Sequence, residues 1–554
     1  MGSRSLLAGA GQFMKKDGTL PSQTTDRLDT STLAAADFDV DVRSGFLPPE
    51  QPLTRLPGPT FDVQNFEFSE PQPSLWECML DWAKSIPLTF GSQYSDVAQS
   101  SAAQKWRSAI RAMPVASLSE AEMGHIRTMR RACVVLAFLS HFYMHAQIDV
   151  GQYETDPDKA RSANQEAKRR IPWSNAYGLR DSAAYAEAHG EYVNKLPPGL
   201  AVPFVMVSER LGLPPVLTYA TTVLWNWTLK DASKGLTSSN MEIKEMFTNS
   251  VSESHFFLTS LLIELQGVEA LTLMRISLNE AFAVDKLAEQ RITCYLEELA
   301  NVIRKLTVLL SQMQDSCDPD TFYWDIRPWF KTGDATFTDS SAGRVPGWIL
   351  EGASSERSLW TGPSAGQSTL IHALDLFLDV DHTRTKRQPN GVSSNRNDSD
   401  STFMERMQLY MPSHHRAFLR HLQHGISTEP VCGPPKEDGA DAEWSDHPIR
   451  ALVLQCQWSG PNHPLVHAYD EALRALRALR DEHMRIAVQY IVHPSRRGPR
   501  NIKCSEEHEQ KQTQKQTQKQ KQNEDVVRGT GGTDLVNFLR ACRKNTTDAM
   551  SHFT

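Results

Sequence analysis

Apolar residues recur at helical spacing along much of this chain, and that periodicity restricts its fold more than any other feature of the sequence. The longest periodic stretch runs from about Leu465 to Val492. One stripe along it consists of Leu476, Leu479, His483, Ile486, Ala487 and Tyr490. Helical spacing also occurs in Leu75–Ala83, Leu118–His145, Pro203–Lys230, a stretch opening at His255, and Leu296–Gln314. Because segments typical of β-strands are short and few, the pattern predicts an all-α protein.

The length of 554 residues is too great for one ordinary domain. We predict a disordered arm over residues 1–40, a small N-terminal helical domain over 41–247 and a large C-terminal helical domain over 248–554. We predict a polar insertion in the first domain at 153–195. In the second domain we predict three polar, flexible segments, at 383–401, 427–461 and 505–527.

Charge and cysteine usage exclude several classes of protein. A net charge of -8 argues against a nucleic-acid binder, which usually carries a basic face. No apolar run approaches the roughly 18 uncharged residues of a membrane helix, and no convincing signal peptide opens the chain, so we expect a cytoplasmic protein without a membrane partner. The eight cysteines are scattered without the spacing of zinc sites and are expected to be reduced thiols.

His483 lies on the apolar stripe and is therefore predicted to face inward. A lone histidine in such a stripe is more often a core residue bonded to a carbonyl group than a metal ligand. Neutral imidazole in an apolar pocket is, however, also the usual proximal ligand of haem iron. From the residues alone, the core interpretation is favoured.

Small residues from Gly362 to Ser368 precede the apolar run Leu370–Leu378. The favoured interpretation is a tight turn in which Ser364 or Ser368 caps a helix. The alternative is a place where the backbone passes close to a flat cofactor, because glycine and alanine leave room there.

An aromatic cluster from Phe322 to Trp324 is followed closely by Arg327. Such a cluster suits an aromatic amino acid, since the rings can enclose an indole while the guanidinium holds the carboxylate. Core packing with an exposed arginine is an equally good interpretation.

The glycine-rich segment Gly529–Asp534 lacks the lysine and the spacing of a phosphate-binding loop. It is interpreted as a lid that closes over substrate or as a flexible connector before a helix.

Several separated blocks resemble the indoleamine 2,3-dioxygenase family, and the resemblance extends from about Gly45 to Thr547. The matching blocks are GFLPPEQPLTRLP (Gly45–Pro57), LPPGLAVPF (Leu196–Phe204), LGLPPVLTYATTVLWNW (Leu211–Trp227), FFLTSLLIEL (Phe256–Leu265), SAGQS (Ser364–Ser368), YMPSHHRAFLRHL (Tyr410–Leu422) and RGTGGTDLVNFL (Arg528–Leu539). The resemblance implies a two-domain helical haem enzyme that opens the indole ring of L-tryptophan with O2 to give N-formylkynurenine.

The resemblance also implies roles for individual residues. His483 would be the proximal ligand of one haem b per chain. Arg480 and Asp375 would form a pair that supports the proximal side of the haem and one of its propionates. Residues resembling the distal walls around O2 and indole are Phe256, Ser260, Tyr219, Val223, Ser364 and Ala365. Phe322 would pack on the indole ring, Arg327 would hold the substrate carboxylate, and Thr530 would sit on the lid.

The implied partners are L-tryptophan, O2 and an electron donor that reduces ferric haem, with the chain acting as a monomer. Pro363 and Thr222 depart from residues common near the pocket, and the stretches 153–195, 383–401 and 427–461 are longer than in compact family members. Two other functions remain open from the sequence: a haem-binding sensor or scaffold without tryptophan turnover, and a helical interaction protein in which His483 is a core residue.

Overall fold

The computed structural model of the chain confirms the all-α prediction. It describes residues 38–62, 71–88, 97–146, 194–283, 287–332, 347–354, 357–382, 402–424, 447–460, 462–497 and 535–551. Fifteen α-helices and five short strands lie within these residues. The predicted insertion at 153–195 and the flexible segments at 383–401 and 505–527 fall outside them, except for Asn194 and Lys195, and so does the arm as far as residue 37.

The helices of the first half are α1 (Ser74–Ser85), α2 (Val97–Ala112), α3 (Glu120–Met123), α4 (Ile126–His145), α5 (Pro198–Leu211) and α6 (Val251–Ala283). Those of the second half are α7 (Ala288–Ser311), α8 (Pro319–Thr321), α9 (Thr369–Phe377), α10 (Phe403–Gln408), α11 (Ser413–His424), α12 (Pro448–Ser459), α13 (Pro464–Ala487), α14 (His493–Arg497) and α15 (Leu535–Asp548). Three π-helical turns, Ala220–Leu224, Phe322–Ile326 and Val488–Val492, interrupt this pattern.

The strands are too short to form a layer of their own. They are β1 (Lys195–Leu196), β2 (Trp227–Leu229), β3 (Met241–Ile243), β4 (Trp348–Leu350) and β5 (Arg357–Ser358). Strand β4 pairs in parallel with β1 and antiparallel with β5, whereas β2 and β3 form a separate antiparallel pair. They brace the connections between helices.

The sequence of helix α13 determines where the helix begins and which of its faces is buried. Pro464 occupies its first turn, where no backbone donor is needed, and the side chain of His463 accepts a hydrogen bond from the Leu465 amide at the N-terminus. The stripe predicted from the sequence is inward-facing, since Leu476, Leu479, Ile486, Ala487 and Tyr490 are buried.

Two stretches of helical spacing are divided in the structure. In Pro203–Lys230, where Pro214 and Pro215 predict an interruption, α5 ends at Leu211 and the chain continues as a π-helical turn and then β2. Gly212, with a φ of 68°, terminates α5 in the left-handed conformation, and the prolines that follow cannot continue it. The stretch Leu118–His145 is likewise divided, with α3 and α4 separated at Gly124–His125.

The boundaries of two segments predicted to be disordered or flexible need correction. Helix α12 occupies twelve residues of the predicted flexible segment 427–461. Its Ile449 and Val453 are buried in the core, which is why this part of the segment is ordered. At the other end of the chain, Phe38 packs on Phe418 and Val40 is buried, so ordered structure begins before residue 41.

Two hydrophobic clusters make up most of the core. The first contains α1, α4 and the N-terminal part of α6, and the second contains α7, α9 and most of α13. Helix α6 passes from the first cluster at Leu261 to the second at Ala270, while α13 passes from the second at Leu479 to the first at Ile486. The division into domains at residue 247 stays a prediction.

Helix α6 is, among the described residues, long and apolar enough to cross a membrane by length and composition, over Val251–Ala281. The expectation from the sequence concerned uncharged apolar runs, and Glu264, Glu269 and Arg275 interrupt this helix. Only a third of its most apolar window is buried, at 33%, and the helix packs against α7, α9 and α12. The lack of a membrane partner stays a prediction.

Candidate active site

His483 lies where α13 passes from one core cluster to the other, and its side chain is half-buried. Burial, and then the charge of Arg480, lower the pKa of His483, so its imidazole is neutral at physiological pH. None of the described residues donates or accepts a hydrogen bond at this ring. The imidazole is therefore in the form that ligates a metal.

Other buried histidines show the arrangement that a core role would require. His141 Nδ1 lies 2.7 Å from the carbonyl oxygen of Trp329, and His372 Nε2 lies 2.8 Å from that of Gly366. His483 differs from these two, because none of the described residues offers its ring a carbonyl partner. The choice between a core residue and a metal ligand stays a prediction at this position.

Arg480 and Asp375 form a buried ion pair one helical turn from His483. The other oxygen of Asp375 lies 3.0 Å from His382 Nε2. Burial alone would raise the pKa of Asp375, but the charges of Arg480 and His382 outweigh it and hold the pKa at about 2. Arg480 also donates to Thr546 of α15, which fixes the guanidinium from a second side.

An aromatic wall joins α6 to two of the π-helical turns. The rings of Phe256 and Phe322 have centroids 4.8 Å apart, and the Phe322 ring lies 5.8 Å from that of Tyr490. The Tyr490 hydroxyl donates to the carbonyl oxygen of Cys317 at 2.7 Å, which anchors the far end of the wall. The structure therefore brings together aromatic residues from three separate parts of the chain.

Arg327 begins the short helical turn that follows this wall. Its guanidinium carbon lies 5.4 Å from the centroid of the Tyr323 ring. Burial lowers the pKa of Arg327, while Tyr323 acts in the opposite direction; arginine nevertheless remains cationic in proteins. The arrangement keeps a positive charge beside an aromatic surface, as recognition of an aromatic amino acid requires.

Glu264 is a site residue that the sequence analysis missed. The Tyr219 hydroxyl and the Ser368 hydroxyl both donate to Glu264 Oε1, at 3.0 and 2.6 Å. Oε2 is buried without a hydrogen-bond partner among the described residues. Burial raises the pKa of Glu264 to about 7, against the opposing effect of the two hydroxyl donors. A signal was present, since Glu264 is a carboxyl group on the Phe256–Ser260 face of an apolar helix.

The small-residue turn is held against this network by Gln367. Its Oε1 accepts the Tyr219 amide and its Nε2 donates to the Gly362 carbonyl, both at 2.8 Å. A Cβ at Gly362 would overlap the Phe330 carbonyl oxygen, so protein backbone occupies the room that this glycine leaves. Ser364, rather than Ser368, caps the turn by accepting from the Gly366 amide at 3.2 Å.

The remaining residues predicted for the site are placed as follows. Val223 is buried in the π-helical turn after Tyr219, and Ala365 is exposed at the turn. The Ser260 hydroxyl donates to the Phe256 carbonyl oxygen at 3.4 Å. Thr530, predicted to lie on a lid, is outside the described residues. The individual roles of these residues in binding and catalysis stay predictions.

Comparison with known proteins identifies the family. A family model described as indoleamine 2,3-dioxygenase matches residues 34–549. An indoleamine 2,3-dioxygenase of Saccharomyces cerevisiae is 29% identical over 80% of this chain and 83% of its own length. Indoleamine 2,3-dioxygenase 1 of Mus musculus is 30% identical over 64% of this chain and 73% of its own length. An Aspergillus candidus relative, also described as an indoleamine 2,3-dioxygenase, is 26% identical over 93% and 97%. The resemblance seen in the sequence is confirmed.

Proposed function

This chain belongs to the indoleamine 2,3-dioxygenase family, and from that premise we propose that it cleaves the C2–C3 bond of the indole ring of L-tryptophan with O2. The product is N-formyl-L-kynurenine, which enters tryptophan breakdown and the supply of the kynurenine branch toward NAD. The observation that carries the proposal is the neutral imidazole of His483, which has no hydrogen bond to a described residue and lies beside a buried ion pair.

Enzymes of this family are haem-dependent, and the residues of this chain fit haem b. His483 offers a neutral nitrogen to iron. Arg480, held by Asp375 and Thr546, places a fixed positive charge near it that suits a propionate. When bound, the haem supplies the iron chemistry that activates O2.

The protein groups then position the substrate and exclude water. Phe256 and Phe322 offer a ring surface on which an indole packs, and Arg327 offers two parallel donors to the amino-acid carboxylate. Correct placement of the reactants is itself a large part of catalysis in such a site. We assign Ser260, Val223, Ser364 and Ala365 to the walls and Thr530 to the lid.

The proposal includes an electron donor that returns ferric haem to the ferrous form, because autoxidised haem would be inactive. It also includes a monomeric, cytoplasmic protein. These parts rest on the net charge of -8, the cysteines expected to be reduced and the family resemblance.

The test follows product formation by the reduced, haem-loaded chain supplied with O2 and L-tryptophan, using the ultraviolet band of N-formylkynurenine. Turnover supports the dioxygenase. Haem binding without product would overturn it and favour a sensor or scaffold.

Arg327→Ala tests the carboxylate contact, with the exposed Arg304→Ala of α7 as its matched control. Loss of a charge-assisted hydrogen bond of about 1.5–3 kcal/mol predicts a roughly tenfold to hundredfold fall in kcat/KM, mostly through KM. Unchanged turnover at low tryptophan would exclude the contact.

A further inference from the structure

Three side chains of metal-binding type meet at the N-terminal end of α13, far from the candidate active site. Glu289 comes from the first turn of α7, Cys456 from the last turn of α12, and His463 precedes α13. Their ligand atoms all lie within 4.8 Å of one another. His463 Nε2 and Glu289 Oε1 are 3.0 Å apart. One residue of α7 and two from the junction of α12 and α13 therefore direct oxygen, sulfur and nitrogen donors to one point.

We propose that Glu289, Cys456 and His463 bind a zinc ion. One sulfur, one imidazole nitrogen and one carboxylate oxygen form a three-ligand set of the kind that zinc accepts, with water in the fourth position. Ligand atoms around a tetrahedral zinc lie about 3–4 Å apart, so the present separations need to close by about 1–2 Å at most. A thiolate and a carboxylate together balance the charge of the ion.

The environment of Cys456 supports this assignment. The side chain is buried at 5% exposure, so its thiol has little access to water. The ligand atoms of Glu289 and His463 lie within 4.8 Å of it. A divalent cation between the thiol and the carboxylate would deprotonate the thiol and bind both groups.

His463 has a second contact that the site must accommodate. Its Nδ1 accepts the Leu465 amide at 3.3 Å, which is long for such a bond. When zinc binds Nε2, the ring proton lies on Nδ1, which can then no longer accept the hydrogen bond of the Leu465 amide. The amide would bind water instead. The proposed ion would replace this hydrogen bond as the attachment that holds the start of α13 against α7 and α12.

The site is separate from haem binding. At about 1.5 Å per residue, α13 places His483 about 30 Å from His463. Zinc content and haem content can therefore fail independently, and loss of the zinc site leaves the proposed dioxygenase function intact.

The test measures zinc in the haem-loaded full chain after chelator treatment and titration with Zn²⁺ against a chromophoric competitor. We expect one zinc per chain. Cys456→Ser and His463→Asn should weaken affinity at least about a hundredfold, since loss of a direct ligand exceeds the roughly tenfold to hundredfold effect of an outer group. The asparagine of the second variant can still cap the helix, so α13 keeps its N-terminus.

Cys294→Ser is the matched control, because Cys294 is an exposed free thiol on α7. It should bind zinc as the parent does, and all variants should keep their haem. Glu289→Gln, at a half-exposed position, gives a second test should the buried variants misfold, with an expected loss of about tenfold or more. A parent that binds no stoichiometric zinc, or ligand variants that bind it with parental affinity, would overturn the proposal.

Discussion

Asp375 and Glu264 are both buried carboxyl groups beside the candidate active site, yet their pKa values are shifted in opposite directions. Asp375 lies between Arg480 and His382, and its pKa falls to about 2. Glu264 has only the hydroxyl groups of Tyr219 and Ser368 as partners among the described residues, and its pKa rises to about 7. Burial is common to both, so the cationic partners decide the outcome. The side beside His483 carries a fixed anion, whereas the side beside Tyr219 carries a group that titrates near neutral pH.

The largest effect is expected from Asp375→Ala. This change leaves Arg480 and His382 buried without their carboxylate, and we expect a loss of about 3–5 kcal/mol in the free energy of unfolding. Urea denaturation at pH 7 measures it. Asp481→Ala, which removes an exposed partner of Arg543, should cost under about 1 kcal/mol. Equal effects in the two variants would show that the buried pair of Asp375 and Arg480 stabilises the protein no more than an exposed pair does.

Glu264→Gln should act in the opposite direction and only as the pH rises. The ordinary pKa of a glutamate is 4.5 and that of Glu264 is about 7, so the native protein holds a proton that the unfolded chain releases between these values. The parent therefore loses stability as the pH rises through this window. Because the glutamine of the variant cannot ionise, the variant should gain up to about 3 kcal/mol relative to the parent above pH 7.

The measurement is urea denaturation across pH 4–8. Glu269→Gln, on the exposed surface of the same helix, is the control and should follow the parent. A constant difference between Glu264→Gln and the parent at every pH would contradict the raised pKa of Glu264.

His382 tests the cationic partners of Asp375 through a second pH dependence. Although burial lowers its pKa, Asp375 outweighs burial and raises it from 6.5 to about 9. This stabilisation is fully present below pH 6.5 and is lost as the pH rises through about 9. His382→Gln should therefore lose about 3 kcal/mol near pH 6 and much less at pH 9.5. If the free energy of unfolding changed with pH between 6.5 and 9 in the same way in His382→Gln as in the parent, the pair of His382 and Asp375 would not form.

The smallest effect is expected from Tyr219→Phe, which removes one hydroxyl donor to Glu264. The cost should be about 1 kcal/mol. Because that donor lowers the pKa of Glu264, its removal should move the pH-dependent step toward higher pH. A step that moves toward lower pH would contradict the hydrogen bond.

Local patterns predicted the helices well, and five of the six residues on the stripe of α13 are buried, with His483 half-buried. They did not predict the π-helical turn after Tyr219, because the residues there keep an apolar period, although Pro214 and Pro215 marked the interruption before it. They also missed α12, whose sequence follows directly on a polar stretch.

The pairings that build the site join residues far apart in sequence. Arg480 and Asp375 are 105 positions apart, and Ser368 and Glu264 are 104 apart. No local spacing predicts such contacts, so the first pair was expected only from the family resemblance and the second was not expected. That no described residue offers His483 a carbonyl partner likewise depends on tertiary packing.

The most direct test of the account is the haem content of His483→Ala, with His493→Ala as control because His493 is exposed on α14. Both proteins and the parent are loaded with haem, freed of excess and reduced under CO for absorption spectra. The account predicts one haem per chain with a histidine-ligated spectrum in the parent and in His493→Ala, and loss of haem from His483→Ala. Normal haem content and an unchanged spectrum in His483→Ala would contradict it.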